Sequence, residues 1–156
     1  LSMKAGLKKW PGRAEKSITK ELSQLHLHDT FKPRHPDKLT KEQKEEALES
    51  HLFLKEKRDS SIKARMVAGG DKQRRTMPAI EASSPTVSTD AVMITATIEA
   101  IEERDIGSID IPNAYSSTRI ENEKDKTIVR LHGKLAELMV LVAPEIYCPY
   151  IIVNRN

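Results

Sequence analysis

Cysteine, aromatic residues and long apolar runs are all scarce in this chain of 156 residues. The single cysteine, Cys148, excludes an internal disulfide and any zinc site built from several cysteines, and it favours a reducing compartment. With one Trp, three Tyr and two Phe, the core is expected to be aliphatic and small. The longest apolar run, Leu138–Ala143, is far shorter than the roughly 20 residues that span a bilayer. The sequence therefore predicts no membrane partner.

The net charge of +3 conceals an uneven distribution of charged residues along the chain. Residues 55–75 contain eight basic and three acidic side chains, whereas residues 97–125 contain three basic and eight acidic ones. The basic segment is typical of a surface that meets nucleic-acid phosphates, and the acidic segment of one that meets a metal ion. Runs of charge are usually solvated surfaces, so charge alone favours that interpretation over a binding surface.

Hydrophobic periodicity and turn residues predict an α+β fold in which a helical start is followed by a hairpin, a helix and a strand. We divide the chain into a basic N-terminal helix with its linker, residues 1–38, and a second part, residues 39–156. The predicted elements are a helix over 13–27, a helix from Thr40 to about Ser50, hairpin strands 52–57 and 62–68, a helix over 86–104, strands 106–111 and 126–131, and a helix after Gly133. Thr40 and Gln43 are spaced as in a capping box at the start of the second helix. The helix over 86–104 carries an apolar stripe, which predicts a buried face.

Asp110 is the first candidate for chemistry, because it lies near the end of a predicted strand and is followed by Pro112 and Tyr115. A carboxylate on a rigid strand end is a ligand that suits Mg²⁺, a hard cation that prefers oxygen. Metal ions held in this way stabilise the attacking and leaving oxygens in phosphoryl transfer. The alternative is an aspartate that only caps a turn.

Lys63 and Arg65 are the second candidate, because they alternate on one strand and so present both side chains to the same face. Two cations on one face suit a triphosphate, for which the bidentate fork of Arg is favoured. The alternative is an edge strand that is protected from pairing by its charge. Trp10 lies among basic residues and is a further candidate, either for stacking on a base or for packing against its own helix.

Three segments, taken together, resemble the Ty1/copia-type reverse transcriptase domain of retrotransposon polyproteins. They are KARMVAGGDKQ at Lys63–Gln73, SPTVS at Ser84–Ser88 and DIPNAY at Asp110–Tyr115, and their order and spacing also fit. The resemblance covers most of residues 1–153. It implies a fingers hairpin and the first part of a palm within residues 39–156.

The resemblance also implies roles for individual residues. Lys63, Arg65 and Gln73 would contact an incoming deoxynucleoside triphosphate, and Tyr115 would pack under its sugar. Asp110 would be a catalytic ligand of Mg²⁺, of which two ions are expected in the complete enzyme. The implied partners are an RNA or DNA template-primer, deoxynucleoside triphosphates and the remainder of the polyprotein. The implied localisation is cytoplasmic, with a nuclear phase.

One departure from the family pattern changes the expected activity. The polymerase needs two further aspartates in a Tyr-x-Asp-Asp hairpin, and this sequence contains no Asp-Asp pair. A two-metal site with one of three carboxylates does not hold its ions in geometry, so we expect a truncated fragment that does not extend a primer alone. Two alternatives remain: a non-catalytic nucleic-acid-binding module derived from the polymerase, and an interaction domain with no nucleic-acid role.

Overall fold

A computed structural model of the chain describes residues 1–71, 86–111, 114, 118–122 and 126–152. The described residues form a mixed α+β structure with a small three-stranded sheet, as predicted at the level of fold class. The helices are α1 (Met3–Lys9), α2 (Arg13–Leu27), α3 (Lys41–Glu46), α4 (Thr89–Ile101), α5 (Gly133–Val142) and α6 (Pro144–Tyr147). The strands are β1 (Leu48–Glu56), β2 (Ile62–Ala68) and β3 (Val129–Arg130), and short 3-10 turns occupy Pro36–Lys38 and Cys148–Tyr150.

The helix predicted over 13–27 forms with the same bounds, as α2. It starts after Gly12, whose φ of +76° lies in the left-handed region that glycine adopts without steric cost. Ala14, Ile18 and Leu22 recur every four residues and are all fully buried. The periodicity that predicts the helix therefore also identifies the face that it buries.

The predicted capping box forms at the start of α3. The Thr40 hydroxyl accepts the Gln43 N–H at 3.2 Å, and the Gln43 side-chain oxygen accepts the Thr40 N–H at 3.0 Å. The predicted extension of this helix to Ser50 is wrong, since α3 ends at Glu46 and β1 begins at Leu48. From Leu48 onwards every second residue of β1 is buried up to Leu54, and this period of two is that of a strand.

The sheet has the strand order β2-β1-β3, with β1 antiparallel to β2 and parallel to β3. The hairpin forms where it is predicted: its second strand has the predicted bounds 62–68, whereas its first strand, predicted over 52–57, spans Leu48–Glu56. The strand predicted over 126–131 shortens to the two residues of β3. Leu1 lies beside Leu54 of β1, and the Leu1 backbone oxygen accepts the Leu54 N–H at 2.8 Å.

One hydrophobic core lies between the inner face of the sheet and the helices. Its buried members come from α2, the sheet, α5 and α6, from the residue after α1 and from the one between α5 and α6: Trp10, Ala14, Ile18, Leu22, Leu52, Leu54, Ala64, Leu135, Leu138, Met139, Ala143 and Tyr147. Helix α1 packs closely against β1 at Gly6, where an added Cβ would lie only 3.1 Å from the Leu54 Cβ. The helices therefore cover one face of the β1–β2 hairpin.

The strand predicted over 106–111 does not form, and this prediction is wrong. Residues 104–111 have no regular secondary structure, and Ile106, Ile109 and Ile111 are exposed. Among the described residues no strand lies beside this segment to pair with its N–H and C=O groups, and an unpaired strand is not stable in water.

Helix α4 forms within its predicted range, but it contributes no side chain to the core. The apolar residues along it, from Val92 to Ile101, remain largely exposed. The apolar stripe therefore predicts the helix correctly, but the prediction that the stripe is buried is wrong.

Candidate nucleic-acid interface

The outer face of the β1–β2 hairpin carries a set of basic and aromatic side chains, because side chains alternate between the two faces of a strand. On the inner face, Leu52, Leu54 and Ala64 are buried in the core. The residues between them point outward, and in the pairing register they stand directly opposite one another. We call this set the hairpin face: His51, Phe53, Lys55, Lys63, Arg65 and Val67.

The cations of the hairpin face are exposed and close to one another. Lys55 pairs with Lys63 across the ladder, so two ammonium groups share one rung, and Arg65 stands opposite Phe53. Like charges directly opposite each other in a sheet are destabilising. Within the described part of the chain, none of the three cations forms an ion pair. This arrangement costs the hairpin stability and leaves positive charge available for an anion.

Helix α2 fixes the hairpin by bonding to the outer edge of β2. The Ser17 hydroxyl donates to the Ile62 carbonyl at 2.8 Å and accepts the Ala64 N–H at 2.9 Å. Farther along, the Glu21 carboxylate accepts the Met66 N–H at 3.2 Å. These bonds satisfy backbone groups that an edge strand otherwise exposes, and they hold Lys63 and Arg65 on a supported strand.

The tip of the hairpin is also held in place. Arg13 donates to the Ser60 carbonyl at 2.9 Å and lies 3.4 Å from a Glu56 carboxylate oxygen. Within the turn, the Ser61 hydroxyl and N–H donate to the Asp59 carboxylate, and these hydrogen bonds hold the pKa of Asp59 below its usual value. The hairpin face is therefore braced at its edge by α2 and at its tip by Arg13.

Phe53 is half exposed at the centre of the hairpin face, with 50% of its surface open to solvent. The His51 ring lies beside it, with 6.5 Å between the ring centroids and a tilt of 37°. A shallow cleft of about 190 Å³, lined by both rings, extends toward α1, and Lys4 and His132 contribute to its lining. His132 lies 3.3 Å from the Glu49 carboxylate, the acid nearest to it. The face thus combines an aromatic platform with flanking cations.

The residue types of the hairpin face are those that bind single nucleic-acid strands. Lys and Arg attract phosphates, and an exposed aromatic ring stacks on a base. Sequence reasoning identified Lys63 and Arg65 but missed Phe53 and Lys55. Their signal is the alternation of the first predicted strand, which places both residues on the face opposite to Leu52 and Leu54.

Trp10, the aromatic residue considered for base stacking from the sequence, is not available for that role. It is 7% exposed and belongs to the core, and the Lys9 ammonium lies 4.8 Å from the centre of its ring. Its alternative interpretation, packing within the fold, is the one that the structure supports.

The remaining predicted site residues are not brought to the hairpin face. Asp110 is exposed in the segment without regular structure, not on the end of a strand. Gln73 and Tyr115 lie outside the described residues. In the described ranges no three His, Cys, Asp or Glu side chains come together as a metal-binding group. The described residues therefore do not fit a two-ion magnesium site, and no catalytic step through Mg²⁺ is assigned.

Among the described residues no helix is both long and apolar enough to cross a bilayer. Comparison of the chain with protein-family models, with curated protein sequences and with solved structures found no match.

Proposed function

We propose that this chain is part of the RNA-directed DNA polymerase of a Ty1/copia-type retrotransposon, and that its hairpin face contacts the phosphates of nucleic acid and nucleotide. The observation that supports binding is the exposed group of Lys55, Lys63 and Arg65 without ion pairs among the described residues. The family assignment is supported by the motifs at Lys63–Gln73, Ser84–Ser88 and Asp110–Tyr115.

The physical basis of this binding is relief of repulsion. Lys55 and Lys63 face each other across the ladder, and a phosphate placed between them offsets this one like-charge contact with two favourable ones. Arg65 adds a planar fork that matches the oxygens of a phosphate. Bonds from α2 hold the strand, so ordering of the backbone adds little to the cost of binding.

The double variant Lys63→Ala with Arg65→Ala tests the proposal in the 156-residue chain. Binding of a labelled single-stranded oligonucleotide is measured by fluorescence anisotropy over a series of salt concentrations. Because each phosphate contact on a single strand contributes about −0.7 to the slope of log K against log salt, loss of two contacts should flatten the slope by about 1.4. Affinity at low salt should fall with it.

The matched control is Lys38→Ala with Lys41→Ala, which removes the same charge from exposed residues outside the sheet. This pair should leave the salt slope unchanged. Equal flattening by both pairs would mean that only net charge matters, and an unchanged slope in the Lys63 and Arg65 variant would refute the proposed contacts.

A non-catalytic nucleic-acid-binding module is the second candidate function, and the position of Asp110 favours it. Among the described residues Asp110 belongs to no strand and is exposed, and the hairpin face does not include it. Thermal unfolding with a deoxynucleoside triphosphate separates the two candidates. The polymerase proposal expects a rise in Tm that the Lys63 and Arg65 variant loses, whereas the binding module expects a rise with oligonucleotide only.

A further inference from the structure

We infer that the hairpin face binds an unpaired, single-stranded segment of nucleic acid by stacking a base on Phe53, with the flanking phosphates on Lys55, Lys63 and Arg65. The inference rests on the proposed phosphate contacts and adds the form of nucleic acid that the face accepts. The observation that supports it is the exposed ring of Phe53 among the cations, because phosphate binding alone does not require an aromatic ring.

The placement of Phe53 is the first step. A phenylalanine at an inward position of β1 would be buried like Leu52 and Leu54, but Phe53 is at an outward position and half exposed. In the register it stands opposite Arg65, and Lys55 is the next outward residue on its own strand. A base lying on this ring therefore has cations beside it, within the reach of its own backbone phosphates.

Charge complementarity selects the occupant of the surface. The hairpin face contains three permanent cations and no carboxylate, and residues 55–75 carry eight basic and three acidic side chains. An apolar protein surface would have to desolvate these cations without compensation, at a cost that a polyanion avoids. A ligand with both aromatic faces and anionic groups satisfies Phe53 and the cations together.

The form of the site favours a strand that lies across it over a small molecule that is enclosed. The cleft beside Phe53 measures about 190 Å³, below the roughly 300–1,000 Å³ of pockets that surround a ligand. In a duplex each base is stacked between its neighbours and paired, so its flat surface is not offered to a side chain. Stacking on Phe53 therefore requires an unpaired base.

The experiment compares three probes of equal phosphate number: an oligothymidylate of roughly 12 nucleotides, within the ~4–16 that such surfaces cover, the same backbone with abasic sites, and a short duplex. Phe53→Ala should weaken binding of the oligothymidylate about 5- to 150-fold, since stacking contributes ~1–3 kcal/mol per base. Binding of the abasic strand and of the duplex should change less than about twofold, because their contacts are ionic.

Two further variants complete the test. Phe53→Trp should restore the affinity for oligothymidylate, and its fluorescence should be quenched on binding, whereas wild-type fluorescence from the buried Trp10 should change little. Leu141→Ala removes an exposed apolar side chain from α5 and should leave all three affinities unchanged. Urea unfolding confirms that each variant is folded.

The outcomes separate this inference from the proposed function. Stacking on Phe53 is overturned if Phe53→Ala loses the same affinity for all three probes, or if it loses no affinity for oligothymidylate. If Phe53→Ala is silent while Lys63→Ala with Arg65→Ala still flattens the salt slope, phosphate binding stands and the single-strand inference fails. If wild-type protein binds none of the probes, both fail.

Discussion

The backbone of Ser60 illustrates how one residue controls the hairpin on which the candidate interface is built. Its N–H donates to the Lys57 carbonyl at 3.0 Å, and the Lys57 N–H donates to the Ser61 carbonyl at 2.8 Å. This pattern is a turn followed by a left-handed residue, a position that hairpins usually give to glycine. Ser60 adopts it with a φ of +61° and bears the steric cost of its Cβ.

Ser60→Gly should therefore raise the free energy of unfolding by about 0.5–1 kcal/mol. The gain is the relief of left-handed strain, ~1–2 kcal/mol, less the extra entropy that glycine gives the unfolded chain. Urea unfolding followed by circular dichroism measures it. Arg58→Gly is the control in the same turn, because Arg58 has no positive φ and its replacement should only lower stability. A loss with Ser60→Gly would contradict the assigned backbone geometry.

At the scale of elements, the link between α2 and β2 decides whether the hairpin has a free edge. Ser17 joins one carbonyl and one N–H of β2, and Glu21 takes a second N–H. An uncovered edge is a template for pairing with another chain. Helix α2 thus serves the sheet twice, through its apolar residues in the core and through its polar residues at the edge.

Ser17→Ala should lower the free energy of unfolding by about 1–3 kcal/mol, since it leaves the Ile62 carbonyl and the Ala64 N–H without their partner. Hydrogen exchange at the Ala64 amide should accelerate as well. Ser23→Ala is the matched control on the same helix. Because it breaks no such pair of hydrogen bonds, this substitution should change the free energy of unfolding by about 0.5 kcal/mol or less. Equal effects of the two variants would show that the Ser17 bonds do not support the edge.

At the scale of the whole molecule, the described residues fall into a packed unit and a segment outside its core. The packed unit contains α1, α2, the sheet, α5 and α6 around a single core. Helix α4 and the residues that follow it to position 111 add no side chain to that core. The stability of the packed unit should therefore be independent of the apolar residues of α4.

Ile94→Gln with Ile98→Gln should change the free energy of unfolding by no more than about 0.5 kcal/mol, because both side chains are largely exposed. Leu138→Ala, at a residue that is 1% exposed, should cost ~2–5 kcal/mol. Urea unfolding of the two variants checks the difference. A large loss in the α4 variant would mean that this helix packs against the core.

The contrast between predicted and observed elements follows the range of the interactions involved. Helix α2, the capping box at Thr40 and the hairpin depend on contacts within a few residues, and the sequence predicted each of them. The strand over 106–111 depends on pairing with a distant segment, which local alternation does not supply. The same holds for the burial of α4, whose periodicity identifies an apolar stripe but no partner for it.

The candidate interface divides in the same way. That Lys63 and Arg65 share a face follows from the sequence alone, because alternation along a strand is a property of the backbone. The family resemblance, the single cysteine and the absence of an Asp-Asp pair are likewise properties of the sequence. Which face of the hairpin is open depends instead on how the helices pack. Helices α1 and α2 cover the side of Leu54 and Ala64, so Phe53 and Lys55 are exposed beside Lys63 and Arg65. That choice depends on contacts between residues far apart in the chain, whose loop-closure cost is met only when the whole core forms.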